Sequence, residues 1–152
     1  METLYAYLAG AIDIDGRIVI ARRFGHRHTD GRKVPYYGAT ILLSDSSPIV
    51  PDLLQATFPA RRLQYEAKNR TQTAWHMWEA VNHSAHEPMV RLLPYLRVKR
   101  RQAELALTLI NLIERERAGS ARPLTTEQEQ ARGLLYDEAL TLNKSRPKRT
   151  YR

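Results

Sequence analysis

The chain has 152 residues, which is enough for one domain whose core needs no disulfide or structural metal. Its 24 Lys and Arg against 16 Asp and Glu give a net charge of +8, which indicates a polyanionic partner, most simply nucleic acid. The absence of cysteine excludes a disulfide framework and a Cys-based zinc site.

The hydropathy pattern also indicates the cellular location of the protein. No segment has the pattern of a signal peptide, and no apolar stretch approaches the length of a membrane span. We therefore expect an intracellular protein without a membrane partner, in the cytoplasm of a prokaryote or an organelle of a eukaryote.

The elements predicted in chain order are a helix over residues 2–14, a hairpin of strands 17–24 and 34–43, a helix that begins at Pro48, and a second hairpin of strands 62–68 and 74–81. Helices are then predicted over 86–96, 98–117 and 126–142, the last with Thr125 as its cap in a "TTEQ" capping box. This order predicts an α+β domain over residues 1–143 with antiparallel hairpins. The basic residues 144–152 are predicted to be a tail that is disordered when free.

The first predicted helix is apolar on two sides and therefore needs burial on both. Large side chains at Leu4 and Leu8 can cover the domain's own sheet. The opposite face consists of small residues and one acid, and it suits a second helix at close approach: Ala6, Ala9, Gly10 and Asp13.

Two carboxylates, Asp13 and Asp15, end this helix. The C-terminus of a helix carries partial negative charge, so acids are disfavoured there. A buried or half-buried carboxylate must be hydrogen-bonded, paired or bound to metal. The pattern therefore predicts a positive partner at this end of the helix.

The segment "LAGAIDIDG" (residues 8–16) resembles the signature of the LAGLIDADG homing endonucleases, with departures at Ala11 and Ile14. The predicted αββαββα order is also that of the family. The segment "LLPYLRVKRRQAEL" (residues 92–105) resembles the helix junction that delivers a catalytic lysine in single-motif members. Since the motif occurs once, the chain resembles the homodimeric branch.

The resemblance implies a homing endonuclease, in other words a site-specific double-stranded DNA endonuclease associated with intron homing. It would hydrolyse phosphodiester bonds at a long pseudo-palindromic target, with a divalent metal, most simply Mg²⁺, and no small-molecule cofactor. Asp15 of each subunit is the implied catalytic metal ligand, with the backbone carbonyl of Ile14 as a further ligand and Lys99 as a catalytic cation. Asp13 is implied to lie at the dimer interface, where it would bond backbone at the paired helix ends.

The two hairpins are then implied to form a saddle in the major groove of DNA. By alternation, Phe24, Leu63, Tyr65, Trp75 and Met77 are predicted to pack inward, and Trp78 to face the groove. The predicted DNA-binding residues of the strands, loops and basic run are Arg17, Val19, Ala21, Arg23, His26, His28, Tyr36, Gly38, Thr40, Gln64, Glu66, Lys68, Arg70, His76, Arg97, Arg100 and Arg101.

The chain departs from the family at Leu43, which stands where members often carry a polar residue near the end of the second strand. Two alternatives on the same scaffold stay open, an RNA maturase and a non-cleaving DNA-binding regulator. Asp15 together with Lys99 favours the endonuclease over both. A basic ribosome-associated protein would leave the terminal acids of the first helix unexplained.

Overall fold

The computed structural model describes residues 1–27, 33–66, 73–117 and 124–144, except for the side chains of residues 25–27, 33, 34 and 117. The elements, in chain order, are α1 (Glu2–Ile14), β1 (Arg17–Arg27), β2 (Lys33–Asp45), α2 (Ile49–Thr57), β3 (Arg61–Tyr65), β4 (Trp75–Val81), α3 (His83–Leu92), α4 (Arg100–Arg117) and α5 (Thr126–Lys144). The predicted α+β order is confirmed. None of the helices in the described ranges is long and apolar enough to cross a membrane.

The strands form one antiparallel sheet in the order β1-β2-β4-β3. The first hairpin is longer than predicted, because β1 continues to Arg27 and β2 begins at Lys33. The second hairpin joins the first where β4 pairs with β2, from Thr40 opposite Val81 to Asp45 opposite His76.

One face of the sheet is covered by helices and forms the core. Ile18, Ile41 and Trp78 of the sheet and Leu8 and Leu92 of the helices are almost completely buried. The Trp78 Nε1–H donates to the carbonyl of Phe58, at the end of α2, over 3.0 Å. We call the helix-covered face the inner face. Because side chains alternate along a strand, the buried residues show on which face each of their neighbours lies.

The opposite face carries no helix in the part of the chain described, and we call it the open face. It consists of the side chains that alternate with the core positions. Its members are Arg17, Val19, Ala21, Arg23, Tyr36, Gly38, Thr40, Leu42, Ser44, Arg61, Leu63, Tyr65, Trp75, Met77, Glu79 and Val81.

The last helix, α5, packs against β1 and α4. Its predicted capping box is confirmed, since the Thr125 hydroxyl accepts the Gln128 N–H at 3.2 Å and the Gln128 side chain accepts the Thr125 N–H at 2.9 Å. The Arg22 guanidinium lies 4.8 Å from the centre of the Tyr136 ring, a cation–π contact that joins α5 to β1.

Candidate nucleic-acid interface and carboxylate site

The carboxylate of Asp13 is buried and accepts hydrogen bonds from its own chain. It accepts the backbone N–H groups of Arg97, Val98 and Lys99 at 2.6, 3.1 and 2.8 Å. These N–H groups immediately precede or begin the first turn of α4, where an anion is stabilised by the helix dipole. Asp13 therefore joins the end of α1 to the start of α4. Its role is structural, as predicted, but its partners are backbone groups of the same chain.

Lys99 supplies the positive charge that the end of α1 requires. Its side chain is only 2% exposed, and its ammonium donates to the carbonyl of Asp13 at 2.6 Å and also to the carbonyl of Ile12. A cation is favoured at this position because the last carbonyls of a helix carry partial negative charge. The resemblance implies a catalytic cation at Lys99; in the structure its ammonium lies inside the chain and bonds two carbonyls at the end of α1.

Asp15 has the opposite environment. Its side chain is exposed, and its backbone N–H donates to the carbonyl of Ala11 at 2.9 Å, so it ends α1. At the next residue, Gly16, a Cβ would lie 2.8 Å from the Cα of Ile12. Only glycine lets the chain pass this close to the backbone of α1. The chain then enters β1 at Arg17, on the open face. Asp15 thus lies where the helix end meets the edge of the open face.

The predicted interface on α1 is partly wrong. Ala9 and Asp13 are buried within their own chain, so neither side chain is available to a second molecule. Ala6 and Gly10 lie towards solvent, and a Cβ at Gly10 would meet no atom of the described ranges within 4 Å. The face available on α1 is rotated from the predicted one and consists of Thr3, Ala6, Tyr7, Gly10 and Ile14.

The β1–β2 half of the open face agrees with the predicted alternation. Arg17, Val19, Ala21 and Arg23 lie opposite Leu42, Thr40, Gly38 and Tyr36. Tyr37, Ala39 and Ile41 are buried on the inner face as predicted. Phe24 is an exception, because it is 60% exposed and stacks under Arg22 instead of entering the core.

Gly38 is a glycine for a reason within the fold. A Cβ there would lie 2.9 Å from the Oδ1 of Asn82, and this oxygen accepts the Ala39 N–H at 2.9 Å. Asn82 itself has a positive φ of 50° and lies between β4 and α3, as the N-cap residue of α3. A side chain at residue 38 would therefore disturb the junction between β2 and α3.

The predicted orientation of the second hairpin is wrong by one residue. Trp78 is fully buried, which places His76 and, by register, Gln64 on the inner side of the sheet. Arg62, opposite Trp78, bonds Asp52 of α2 at 2.9 Å and confirms that side. The predicted DNA contacts Gln64 and His76 therefore face the helices. Leu63, Tyr65, Trp75 and Met77, which were predicted to pack inward, lie on the open face together with Arg61 and Glu79, which sequence reasoning missed.

The basic run Arg97–Arg101 leads into α4, and two of its arginines form ion pairs with carboxylates of the same chain. The guanidinium of Arg101 bonds Glu138 of α5 at 2.7 Å and Glu104 at 3.4 Å, and these bonds raise the pKa of Arg101 above its ordinary value. Arg100 bonds Glu104 at 3.2 Å. Both guanidinium groups are paired with carboxylates, but both side chains are more than half exposed, so their phosphate contacts stay a prediction. Arg97 is exposed.

Some predicted contacts lie outside the described residues. They are His28, Lys68 and Arg70, together with the side chain of His26. Glu66 follows β3 directly and is exposed. Leu43, which stands at the position where the family often has a polar residue, is buried on the inner face, and its neighbour Ser44 is exposed on the open face.

The fold is that of the LAGLIDADG homing endonucleases. One similar structure is the homing endonuclease I-CvuI in complex with its target in the presence of Ca. It aligns with this chain with a TM-score of 0.72 and 20% sequence identity, over 99% of this chain and 87% of that chain. I-CvuI with the I-CreI target in the presence of Mg, in which the DNA is not cleaved, has a TM-score of 0.71 at 20% identity and covers 98% and 87%. The archaeal intron-encoded homing endonuclease I-Vdi141I complexed with DNA has a TM-score of 0.64 at 16% identity and covers 99% and 90%. No protein-family model and no curated protein matches the chain.

Proposed function

We propose that the protein is a site-specific double-stranded DNA endonuclease that acts as a homodimer with a divalent metal, most simply Mg²⁺. The observation that carries the proposal is the exposed carboxylate of Asp15 at the edge of an open sheet face that bears Arg17, Arg23 and Arg61. The similar structures are complexes of homing endonucleases with DNA, formed in the presence of Ca or Mg in two cases.

The donor chemistry of Asp15 fits Mg²⁺, which prefers carboxylate, carbonyl and water oxygens. Within the described ranges, no group of three or more His, Cys, Asp or Glu could hold a metal. We propose that the site is shared between two copies and the DNA, which would add ligands to the few that this part of one chain offers. The Ile14 carbonyl is the proposed second protein ligand. When bound, the metal would activate a water and stabilise the charge that develops on the phosphate.

The exposed face of α1 supports the homodimer. Glycine inside a helix is less favourable than alanine by roughly 0.5–1 kcal/mol, yet no contact among the described residues requires Gly10 to lack a Cβ. Tyr7 and Ile14, on the same face, are more than half exposed. A second α1 packed against this face would use the glycine for close approach and would bring two Asp15 carboxylates together. Two such carboxylates repel each other unless a cation lies between them.

Lys99 has a different proposed role from Asp15. Because its ammonium holds the carbonyls at the end of α1, it fixes the position of the residues that follow, including Asp15. We treat Lys99 as a positioning residue whose charge also makes the helix end less negative.

The test of this proposal is a selection from random duplexes followed by cleavage. Wild-type protein should enrich a long site with inverted half-sites, because a twofold dimer presents the same surface twice. In Mg²⁺ it should cut both strands at the centre of that site, and binding should weaken steeply with salt. Binding without cleavage in Mg²⁺ or Mn²⁺ would indicate a non-cleaving binder, and a preference for structured RNA would indicate a maturase.

The dimer is tested separately by sedimentation. A Gly10→Leu variant should shift the protein towards monomer, because the added side chain separates the two helices. Ala131→Leu, which adds the same side chain at an exposed position of α5, is the matched control and should stay dimeric. A monomeric wild type at micromolar concentration, free and on DNA, contradicts the homodimer.

A further inference from the structure

The open face carries an apolar group that the proposed catalytic chemistry does not use. Leu63 and Tyr65 of β3 lie directly opposite Met77 and Trp75 of β4. The Tyr65 and Trp75 rings are stacked, with centroids 6.0 Å apart and planes inclined by 13°. Trp75 is 37% exposed, and the other three are partly exposed. We call these four residues the apolar ladder.

The residues around the ladder indicate which kind of partner could bind it. Arg61 and Glu79, bonded at 3.2 Å, continue the same two strands on the same face. Arg17 and Arg23 stand on the neighbouring hairpin. An apolar patch that shares its sheet face with these arginines fits a partner that is anionic on its outside and offers apolar groups within reach.

Duplex DNA has this chemistry in its major groove. The phosphates are anionic, and the apolar feature of the base edges is the C5-methyl group of thymine. Leu and Met side chains cannot form the bidentate hydrogen bonds that distinguish guanine or adenine, but they can bury a methyl group. The arginines of the β1–β2 half, by contrast, suit the O6 and N7 acceptors of guanine.

We infer that the β3–β4 half of the open face reads thymine methyl groups through the apolar ladder, so that each half-site contains a thymine-rich block beside a block read by arginine. This inference rests on the proposed function and adds to it the base preference of one hairpin. The residues that determine this preference are Leu63, Tyr65, Trp75 and Met77.

The test replaces each thymine of the selected site, one at a time, by deoxyuridine, which lacks only the methyl group. Wild-type affinity should fall by about fourfold for each methyl that contacts the ladder. It should stay unchanged at thymines outside that block. The measurement needs no protein variant, so impaired folding cannot obscure it.

Three variants assign the effect to the ladder. Met77→Gln should weaken the thymine preference and the response to deoxyuridine, whereas the matched Met77→Leu should keep both. Arg23→Ala should lower affinity but leave the methyl response intact.

The outcomes separate this inference from the proposed function. Specific binding and cleavage with no thymine block and no methyl response would overturn the inference and leave the endonuclease standing. Loss of a protein–protein association in Met77→Gln without DNA would assign the ladder to a protein partner and also overturn it. A wild type that binds no duplex overturns both.

Discussion

Two polar sites at the same helix end have opposite environments. Around Asp13 and Lys99, where α1 meets α4, the carboxylate and the ammonium bond backbone groups of their own chain and are almost completely buried. Around Asp15 and the adjoining open face, charged side chains lie towards solvent. The end of α1 therefore contains both a buried carboxylate that is bonded within the chain and an exposed carboxylate, and burial distinguishes the two.

The largest expected effect is on the buried side of this comparison. Asp13→Asn replaces a carboxylate that accepts three N–H groups by an amide that can turn a donor towards them, so the free energy of unfolding should fall by about 3 kcal/mol or more. Urea unfolding measures it. The exposed Asp15→Asn is the matched control and should change stability by less than about 0.5 kcal/mol. If both variants lose the same free energy of unfolding, Asp13 is no more important to stability than Asp15, and the structural role of Asp13 is wrong.

Lys99 should show the next largest effect. Lys99→Met keeps most of the buried stem but leaves the carbonyls of Ile12 and Asp13 without their ammonium donor, so we expect a stability loss of about 1–3 kcal/mol. Cleavage should fall in the same variant because Asp15 is less firmly held. If stability is unchanged and only cleavage is lost, Lys99 acts on the DNA directly and the positioning role is wrong.

The smallest expected effect concerns an exposed pair far along the chain. A 2.6 Å hydrogen bond from His83, and then the charges of His83 and His86, hold the pKa of Glu114 below its ordinary value. Because the folded pKa is the lower one, the stabilisation is present above the ordinary carboxyl pKa and is lost as pH falls through the folded value. NMR titration of the Glu114 carboxyl carbon should show this lowered midpoint. His83→Ala should move the midpoint upwards, and an unchanged midpoint would show that the pair does not persist in solution.

The sequence predicted the element order well because period and turn residues are local signals. In β1 the alternation is unambiguous, since the core residues Ile18 and Ile20 alternate with Arg17 and the small side chains, and the predicted sides were correct. In β4 the two tryptophans are three residues apart and therefore on opposite faces, so either assignment buries one of them. A one-residue error there moved every side chain of the second hairpin to the wrong face.

The contacts of the carboxylate site were harder to predict for another reason. Asp13 and Lys99 are 86 residues apart in sequence, and no local pattern pairs them. The family resemblance identified both residues but implied a place at the dimer interface for Asp13 and a catalytic role for Lys99. A signal was present, since a helix that ends in acids requires a cation and "RVKRR" was the basic run expected at the adjoining helix junction.

The most direct test of the account is strand cleavage by Asp15→Asn. The selected site on a plasmid is incubated with wild type or variant in Mg²⁺, while binding to the same site is measured in Ca²⁺. We expect the variant to fold and to bind the site with near wild-type affinity, because the arginines of the open face supply most of that affinity. It should produce no detectable cleavage, since the carboxylate proposed to hold the metal is gone. Cleavage by Asp15→Asn at the wild-type rate would contradict the account.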